Sequence, residues 1–176
     1  MHNDWRDMIP PLRPPRKPRK AKPVATSKYD LRKLYYDARK VMYERKYPVV
    51  LADGGYYDND FPEINTTNGT QNYIQDVMNN LGHFAERINT QGVWTPDGWR
   101  RSGSTKGSPD VHCKIKIPSQ ALPVAWVIEV KKGADTLSPA QQKYRDNMAR
   151  IGSLHSVVYV GNLDWFWDEY YRIIKL

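Results

Sequence analysis

The 176-residue chain is basic, with a formal net charge of +8, and 40% of its residues are hydrophobic, which is enough for one domain with a real core. Its single cysteine, Cys113, excludes an internal disulfide bond. No apolar run approaches the length of a membrane span, and the N-terminus lacks the apolar segment of a signal peptide, so we expect neither feature.

The positive charge is concentrated near the N-terminus. Residues 1–50 carry 14 Lys and Arg against 5 Asp and Glu, whereas the rest of the chain carries 13 against 14. Residues 9–23, IPPLRPPRKPRKAKP, combine basic residues with prolines, which block helix and central strand. We therefore predict a basic, Pro-rich, flexible arm over residues 1–27 that binds nucleic acid or another polyanion; the alternative is a solvated leader. The predicted DNA contacts of this arm are Arg13, Arg16, Lys17, Arg19 and Lys20.

A first helix is predicted directly after the arm. Ser27 begins a capping-box pattern in SKYD, and apolar residues then recur at helical spacing as far as Pro48, which ends the helix. Residues 51–69 are rich in Gly, Asp and Asn and predict a loop. We assign residues 28–69 to an extra helix and loop, and residues 70–176 to the core of the same domain.

A second helix is predicted in TQNYIQDVMNNLG, with Gly82 as its stop. Gln71 lies three residues before Ile74, so a polar side chain falls on the inward, apolar face. A short strand is predicted in HFAERIN, and QGVWTPDGWRRSGSTKGSPD predicts a long loop. Three basic residues of this loop are expected to contact DNA: Arg100, Arg101 and Lys106.

The remaining elements alternate between strand and helix. In DVHCKIKI the apolar residues take one face, so Cys113 is predicted to be a core residue. VAWVIEVK is the next strand, and LSPAQQKYRDNMARIG predicts a helix with Ser138 as N-cap and Gln141 closing a capping box. LHSVVYV predicts a strand, and NLDWFWDEYYRIIKL a terminal helix capped by Asn162. The order α, α, β, β, β, α, β, α predicts a mixed α/β domain with a central sheet.

Charged residues end the apolar run VAWVIEVKK. Glu129 and Lys131 share a face of this strand, and burying them is costly unless they are paired or bind a ligand. If this strand pairs with the strand that Asp110 opens, all three residues converge at one sheet edge. Converging carboxylates repel unless a cation lies between them, and oxygen ligands suit Mg²⁺ or Mn²⁺. We therefore predict a metal site with Lys131 beside it; the alternative, a plain Glu129–Lys131 ion pair, leaves Asp110 unexplained.

The motifs KGSPD, VIEVKKGADTLSPAQ, IG and VVYV follow one another within roughly residues 70–165. In this order they resemble the virus-type replication-repair nuclease (VRR-NUC) family of the PD-(D/E)XK nuclease superfamily. The resemblance implies a restriction-endonuclease-like core, in which helices flank a mixed central β-sheet. It also implies an Mg²⁺- or Mn²⁺-dependent DNA endonuclease that hydrolyses phosphodiester bonds.

The same resemblance implies a role for each residue of the motifs. Asp110 and Glu129 would be metal ligands, and the Val130 carbonyl would be a third. Lys131 would be the catalytic lysine, and Gln141 falls at the family's helix glutamine near that lysine.

Two features depart from the family pattern. Gln71 aligns where the family usually has a Glu on the first core helix, and its amide oxygen would coordinate the metal or hold a metal-bound water. The interval between Asp110 and Glu129 is slightly long and contains Pro118 and Pro123. The alternative function is therefore a catalytically weak nuclease-fold protein that acts as a DNA-binding or viral assembly component.

Standalone family members resemble Holliday-junction resolvases and tend to be viral and dimeric. The resemblance thus implies branched DNA as substrate, a role in DNA repair or recombination, and a homodimer. The aromatic-rich helices 28–46 and 163–175 are the candidate dimer surfaces, and the arm is the candidate contact for a viral structural partner. The expected location is the cytoplasm, that of the host if a phage encodes the chain, or the virion.

Overall fold

The computed structural model describes residues 27–48, 61–88, 93–96, 98–100 and 104–175. Its elements, in chain order, are α1 (Leu31–Lys46), α2 (Thr67–Asn80), β1 (Phe84–Arg87), β2 (Val93–Thr95), β3 (Gly98–Arg100), β4 (Val111–Ile115), β5 (Val124–Lys131), α3 (Pro139–Arg150), β6 (Leu154–Tyr159) and α4 (Asp164–Ile173). The predicted succession of helices and strands is confirmed, with one hairpin added to it.

The added hairpin corrects the prediction of a long loop after the first strand. β2 and β3 pair antiparallel, with Trp94 opposite Trp99. Pro96 follows β2 in a turn, and Gly98, the first residue of β3, has a φ of +114°, a conformation that favours glycine. The loop prediction was wrong here because two three-residue strands are too short to show an alternating pattern.

The main sheet has four strands in the order β1-β4-β5-β6 and is mixed. β4 is antiparallel to both of its neighbours, whereas β5 and β6 are parallel. Val111 lies opposite Ile128, so the register continues to place Asp110 beside Glu129. The predicted antiparallel pairing of the two strands that carry the charged residues is confirmed.

The hydrophobic core lies between one face of this sheet and the helices α1, α2 and α4. The alternation predicted for β4 is confirmed, because Val111, Cys113 and Ile115 are buried and Lys114 is exposed. Burial raises the pKa of the Cys113 thiol to about 12, so this sulfur stays protonated and is a core atom, as predicted. Four buried residues of α2 complete this layer: Tyr73, Ile74, Val77 and Met78.

The opposite face of the sheet is covered by α3, and this layer is thin. None of the twelve residues of α3, all of them described, is buried. Tyr144 contacts His112 of β4 with 6.4 Å between ring centroids, and Gln141 reaches the end of β5. The charged end of β5 therefore lies beneath a helix that packs on it loosely.

Three predicted helix starts are corrected. α2 begins at Thr67, inside the predicted loop, because the Thr66 side chain caps it by accepting the N–H of Gly69. α1 begins after Asp30, whose carboxylate accepts a backbone N–H of the first turn at 3.0 Å, while Ser27 Oγ donates to Asp164. Asp30 replaces Ser27 as the cap because its carboxylate directly precedes the helix and the Ser27 hydroxyl is bound elsewhere. In α4 the cap position is Leu163, and Asn162 Oδ1 accepts the backbone N–H of Asp164 at 3.0 Å.

The two aromatic-rich segments predicted as dimer surfaces, 28–46 and 163–175, contact each other within the chain through the residues just before α1. Tyr29, just before α1, lies 6.5 Å from Trp167 and 6.1 Å from Tyr171 between ring centroids. Trp165 of α4 remains exposed, and the homodimer stays a prediction.

Among the helices that the structure describes, none combines the length and the apolar character needed to span a bilayer.

Candidate functional site

Three residues predicted from the sequence meet where β4 begins and β5 ends. Asp110 Oδ2 accepts the backbone N–H of Val130 at 2.8 Å. Lys131 Nζ lies 3.0 Å from Glu129 Oε1, and these two side chains are 12% and 5% exposed. The sheet register thus brings two carboxylates and one ammonium group to a single, largely desolvated edge.

The Val130 backbone contributes to the same edge. In a strand of an antiparallel pair, the N–H and the C=O of one residue point to the same side. The Val130 N–H points towards Asp110, so the Val130 carbonyl oxygen faces that side as well. This is the position in which a backbone oxygen could join the carboxylates as a ligand.

Both carboxyl groups are in surroundings that penalise negative charge. Burial raises the pKa of Glu129, and the neighbouring charge of Asp110 raises it further, while Lys131 and Gln141 act in the opposite direction. Burial also raises the pKa of Asp110, although the N–H of Val130 opposes this change. A bound cation would relieve both penalties, because it stabilises the ionised form of each carboxyl group.

Gln141 connects the start of α3 to both charged residues of β5. The predicted capping box is confirmed: Ser138 Oγ accepts the N–H of Gln141 at 3.3 Å, and Gln141 Oε1 accepts the N–H of Ser138 at 2.9 Å. The same Oε1 accepts from Lys131 Nζ at 2.9 Å, and Nε2 donates to Glu129 Oε1. One side-chain amide therefore caps the helix and orients the ion pair.

The loop before Asp110 packs directly on the first turn of α3. Gly107 has a φ of +88°, and a Cβ on it would lie 2.5 Å from the carbonyl group of Ala140 and 2.9 Å from the N of Gln141. A side chain at this position would therefore clash with backbone as well as strain the turn. The glycine of KGSPD allows the close approach that sets Asp110 and Gln141 at one site.

Gln71 lies between the Asp110 carboxyl group and the Arg87 guanidinium group. It is 8% exposed in the first turns of α2, and it lies close enough to Asp110 to lower the pKa of that carboxyl group. Its Oε1 accepts from Arg87 Nη2 at 2.8 Å, and Arg87 Nη1 donates to Asn72 Oδ1 at 2.5 Å. The inward position of Gln71 is confirmed, whereas its role as a metal ligand stays a prediction that requires Oε1 to be shared with Arg87.

Arg87 was missed by the sequence reasoning. It ends β1, and β1 pairs with β4 so that Arg87 lies opposite Val111, next to Asp110. In HFAERIN it has no distinguishing mark, because an arginine at a strand end is usually a solvated charge. Only the pairing of β1 with β4 places its charge beside the predicted site.

The structure describes only two of the predicted DNA contacts, Lys106 and Arg100. Lys106 is exposed in the loop that leads to Asp110. The structure describes Arg100 only as a strand residue of β3. The remaining predicted contacts lie outside the described residues: Arg101, Arg13, Arg16, Lys17, Arg19 and Lys20.

The donor set of the site fits a hard divalent cation. Among the described residues, no three side chains of the His, Cys, Asp or Glu type come together as a metal-binding group. A metal held by Asp110 and Glu129 would therefore complete its shell with the Val130 carbonyl, water and substrate oxygens. Mg²⁺ commonly binds through one or two carboxylates and keeps several waters, so this set suits Mg²⁺ or Mn²⁺.

Comparisons of the chain with protein-family models, with curated proteins and with solved structures give no significant match. Support for an activity therefore comes from the geometry of this site and from the order of the motifs in the sequence. Both concern the same residues at the β4–β5 edge.

Proposed function

We propose that the chain is an Mg²⁺- or Mn²⁺-dependent DNA endonuclease with a PD-(D/E)XK-type core, as the resemblance to the VRR-NUC family implies. The observation that carries the proposal is the convergence of Asp110, Glu129 and Lys131 at the end of one antiparallel strand pair. The ion pair at 3.0 Å and the contact from Asp110 to Val130 at 2.8 Å give this convergence a defined geometry. The mixed sheet with helices on both faces is consistent with such a core.

In this proposal, the carboxylates of Asp110 and Glu129 and the Val130 carbonyl would hold the cation. When bound, the cation would supply positive charge to the phosphate and would lower the pKa of a water molecule. Lys131 is held by Glu129 and Gln141, so its ammonium group is oriented to donate to a phosphate oxygen or to align the attacking water. The water oxygen bonds to phosphorus and releases a proton to solvent, the bond from phosphorus to the 3′ oxygen breaks, and that oxygen takes up a proton from solvent.

The proposed partner is DNA, and the charge of the N-terminal region supports it, since residues 1–50 hold 14 of the 27 basic residues. A branched, Holliday-junction-like substrate follows from the family resemblance alone. So do the homodimer, the viral structural partner and the location in a cytoplasm or a virion. A substrate panel that includes unbranched DNA therefore tests the substrate class separately from the chemistry.

The test is cleavage of linear, flapped and four-way DNA by the full-length protein with Mg²⁺, Mn²⁺ or Ca²⁺. Lys131→Ala and Asp110→Asn are expected to lower single-turnover cleavage by about a hundredfold or more, because each removes a charged group from the reaction centre. Lys132→Ala is the matched control, since Lys132 is the next residue and is exposed. Lys131→Ala turnover equal to that of Lys132→Ala, or a wild type that cuts none of these DNAs, overturns the proposal.

The alternative, a catalytically weak nuclease-fold protein that binds DNA or assists viral assembly, is favoured by one observation. Gln71 stands where the family has a Glu, and its oxygen already accepts from Arg87. Calorimetry of Mg²⁺ and Mn²⁺ binding to the full-length protein separates the two functions, with Asp110→Asn as the reference. DNA binding without metal binding at Asp110 would favour the alternative.

A further inference from the structure

Arg87 carries a positive charge beside the candidate site, and the reaction proposed above gives this residue no role. Its side chain is exposed, and its guanidinium group donates to Gln71 Oε1 at 2.8 Å and to Asn72 Oδ1 at 2.5 Å. Both acceptors are neutral amides in the first turns of α2. Among the described residues, no carboxylate forms an ion pair with Arg87.

The two amides fix the guanidinium group without neutralising it. A guanidinium group has five N–H donors, and the described contacts account for two of them. Its charge acts on the same edge of the sheet, because it lowers the pKa of Asp110 against the larger effect of burial. An oriented and exposed guanidinium group that forms no ion pair with a described carboxylate and lies beside Asp110 is suited to an anion that approaches the site from solvent.

We infer that Arg87 binds a backbone phosphate of the nucleic acid at this site, with Gln71 and Asn72 as positioning residues that hold its planar fork. The inference rests on the proposed function and extends it to a substrate contact. It also gives a reason for the amide at position 71. A glutamate there would pair with Arg87 and cancel the charge that the phosphate needs, whereas a glutamine orients the guanidinium group and leaves it charged.

A purely structural role for Arg87 makes a different prediction. If the guanidinium group served only as a counter-charge for Asp110, its removal would raise the pKa of that carboxyl group further and would lower stability. DNA affinity and its salt dependence would then not change beyond the loss expected for any surface arginine.

The test is the affinity of the full-length protein for a short DNA duplex in EDTA, measured by fluorescence anisotropy at several salt concentrations. Arg87→Gln is expected to weaken binding about tenfold and to lower the slope of log affinity against log salt by about 0.9. Arg87→Lys should keep the slope but lose part of the affinity, because an ammonium group cannot form the bidentate contact. Arg150→Gln, the same change at the far end of α3, is the control, and thermal melting verifies that each variant is folded.

Gln71→Glu provides a second variant that leaves Arg87 in place. It is expected to weaken metal-free DNA binding towards the level of Arg87→Gln, since the new carboxylate would pair with the guanidinium group. Affinity and slope unchanged in Arg87→Gln, or reduced equally in Arg150→Gln, overturn the inference.

The binding measurement requires neither metal nor cleavage. A wild type that binds DNA through Arg87 and cuts no DNA would refute the endonuclease alone. If the protein cleaves DNA but its DNA affinity does not change in Arg87→Gln, this inference alone is refuted.

Discussion

Replacement of Gln141 by alanine tests whether one amide both caps α3 and organises the site. The change removes half of the capping box, which is worth about 1 kcal/mol, and the hydrogen bonds to Lys131 and Glu129. A hydrogen bond to a charged group is worth about 1.5–3 kcal/mol, and part of this returns when water replaces the amide. We expect the free energy of unfolding to fall by roughly 3 kcal/mol in urea denaturation.

The same change should lower cleavage more than it lowers the amount of folded protein. Without the amide, Lys131 keeps only the contact with Glu129 among the described residues, and a displacement of about 1 Å at a reaction centre costs about a hundredfold in rate. Single-turnover cleavage at saturating DNA measures this loss under conditions in which the variant is folded. Gln142→Ala is the control, because Gln142 is exposed and its Nε2 contacts only the Leu137 carbonyl among the described residues, at 3.0 Å.

Gln141→Glu separates the capping role from the electrostatic one. A glutamate retains the acceptor of the capping box and an acceptor for Lys131, but it loses the donor to Glu129 and adds a negative charge. The already raised pKa of Glu129 should rise further, so the acid limb of the pH–rate profile should move to higher pH. The reasoning is refuted if Gln141→Ala behaves like Gln142→Ala, or if the acid limb of Gln141→Glu coincides with that of the wild type.

Three further predictions concern stability and DNA binding. The pKa of Asp110 is raised in the folded state, so the wild type loses stability as pH rises through that pKa. Asp110→Asn should therefore unfold at a higher urea concentration than the wild type at pH 7 and should lose this advantage in acid. A lower urea midpoint for Asp110→Asn at pH 7 would contradict this. Gly107→Ala should destabilise the protein by about 2 kcal/mol or more, and the control Gly133→Ala by only about 1 kcal/mol. Both glycines have a positive φ, but of the two only Gly107 packs against backbone atoms. Equal losses of stability in thermal melting would contradict the packing argument. Deletion of residues 1–26, which spares the contact of Ser27 with Asp164, should lower the salt slope of DNA binding by roughly 3, and an unchanged slope would assign the arm to another partner.

Local features were determined by the sequence alone. The capping box of Ser138 and Gln141 and the alternating burial of β4 were predicted from a few neighbouring residues, and both are confirmed. These features depend on interactions within one turn of helix or along one strand, so they require no knowledge of the remaining chain. The predicted site also depended on the condition that the strand of Asp110 pairs antiparallel with the strand of Glu129, and this condition is met.

Only the tertiary structure decided which other groups meet at this edge. Arg87 reaches the site because β1 pairs with β4, and Gln71 does so because α2 packs on β1 and β4. Gly107 and Gln141 meet because the loop before β4 lies on α3. Each of these contacts joins residues that are distant in the chain, and it depends on the order of the strands and on the face each helix covers. Periodicity and capping patterns reflect contacts within one element, so they do not show the order of the strands or the face of the sheet that each helix covers.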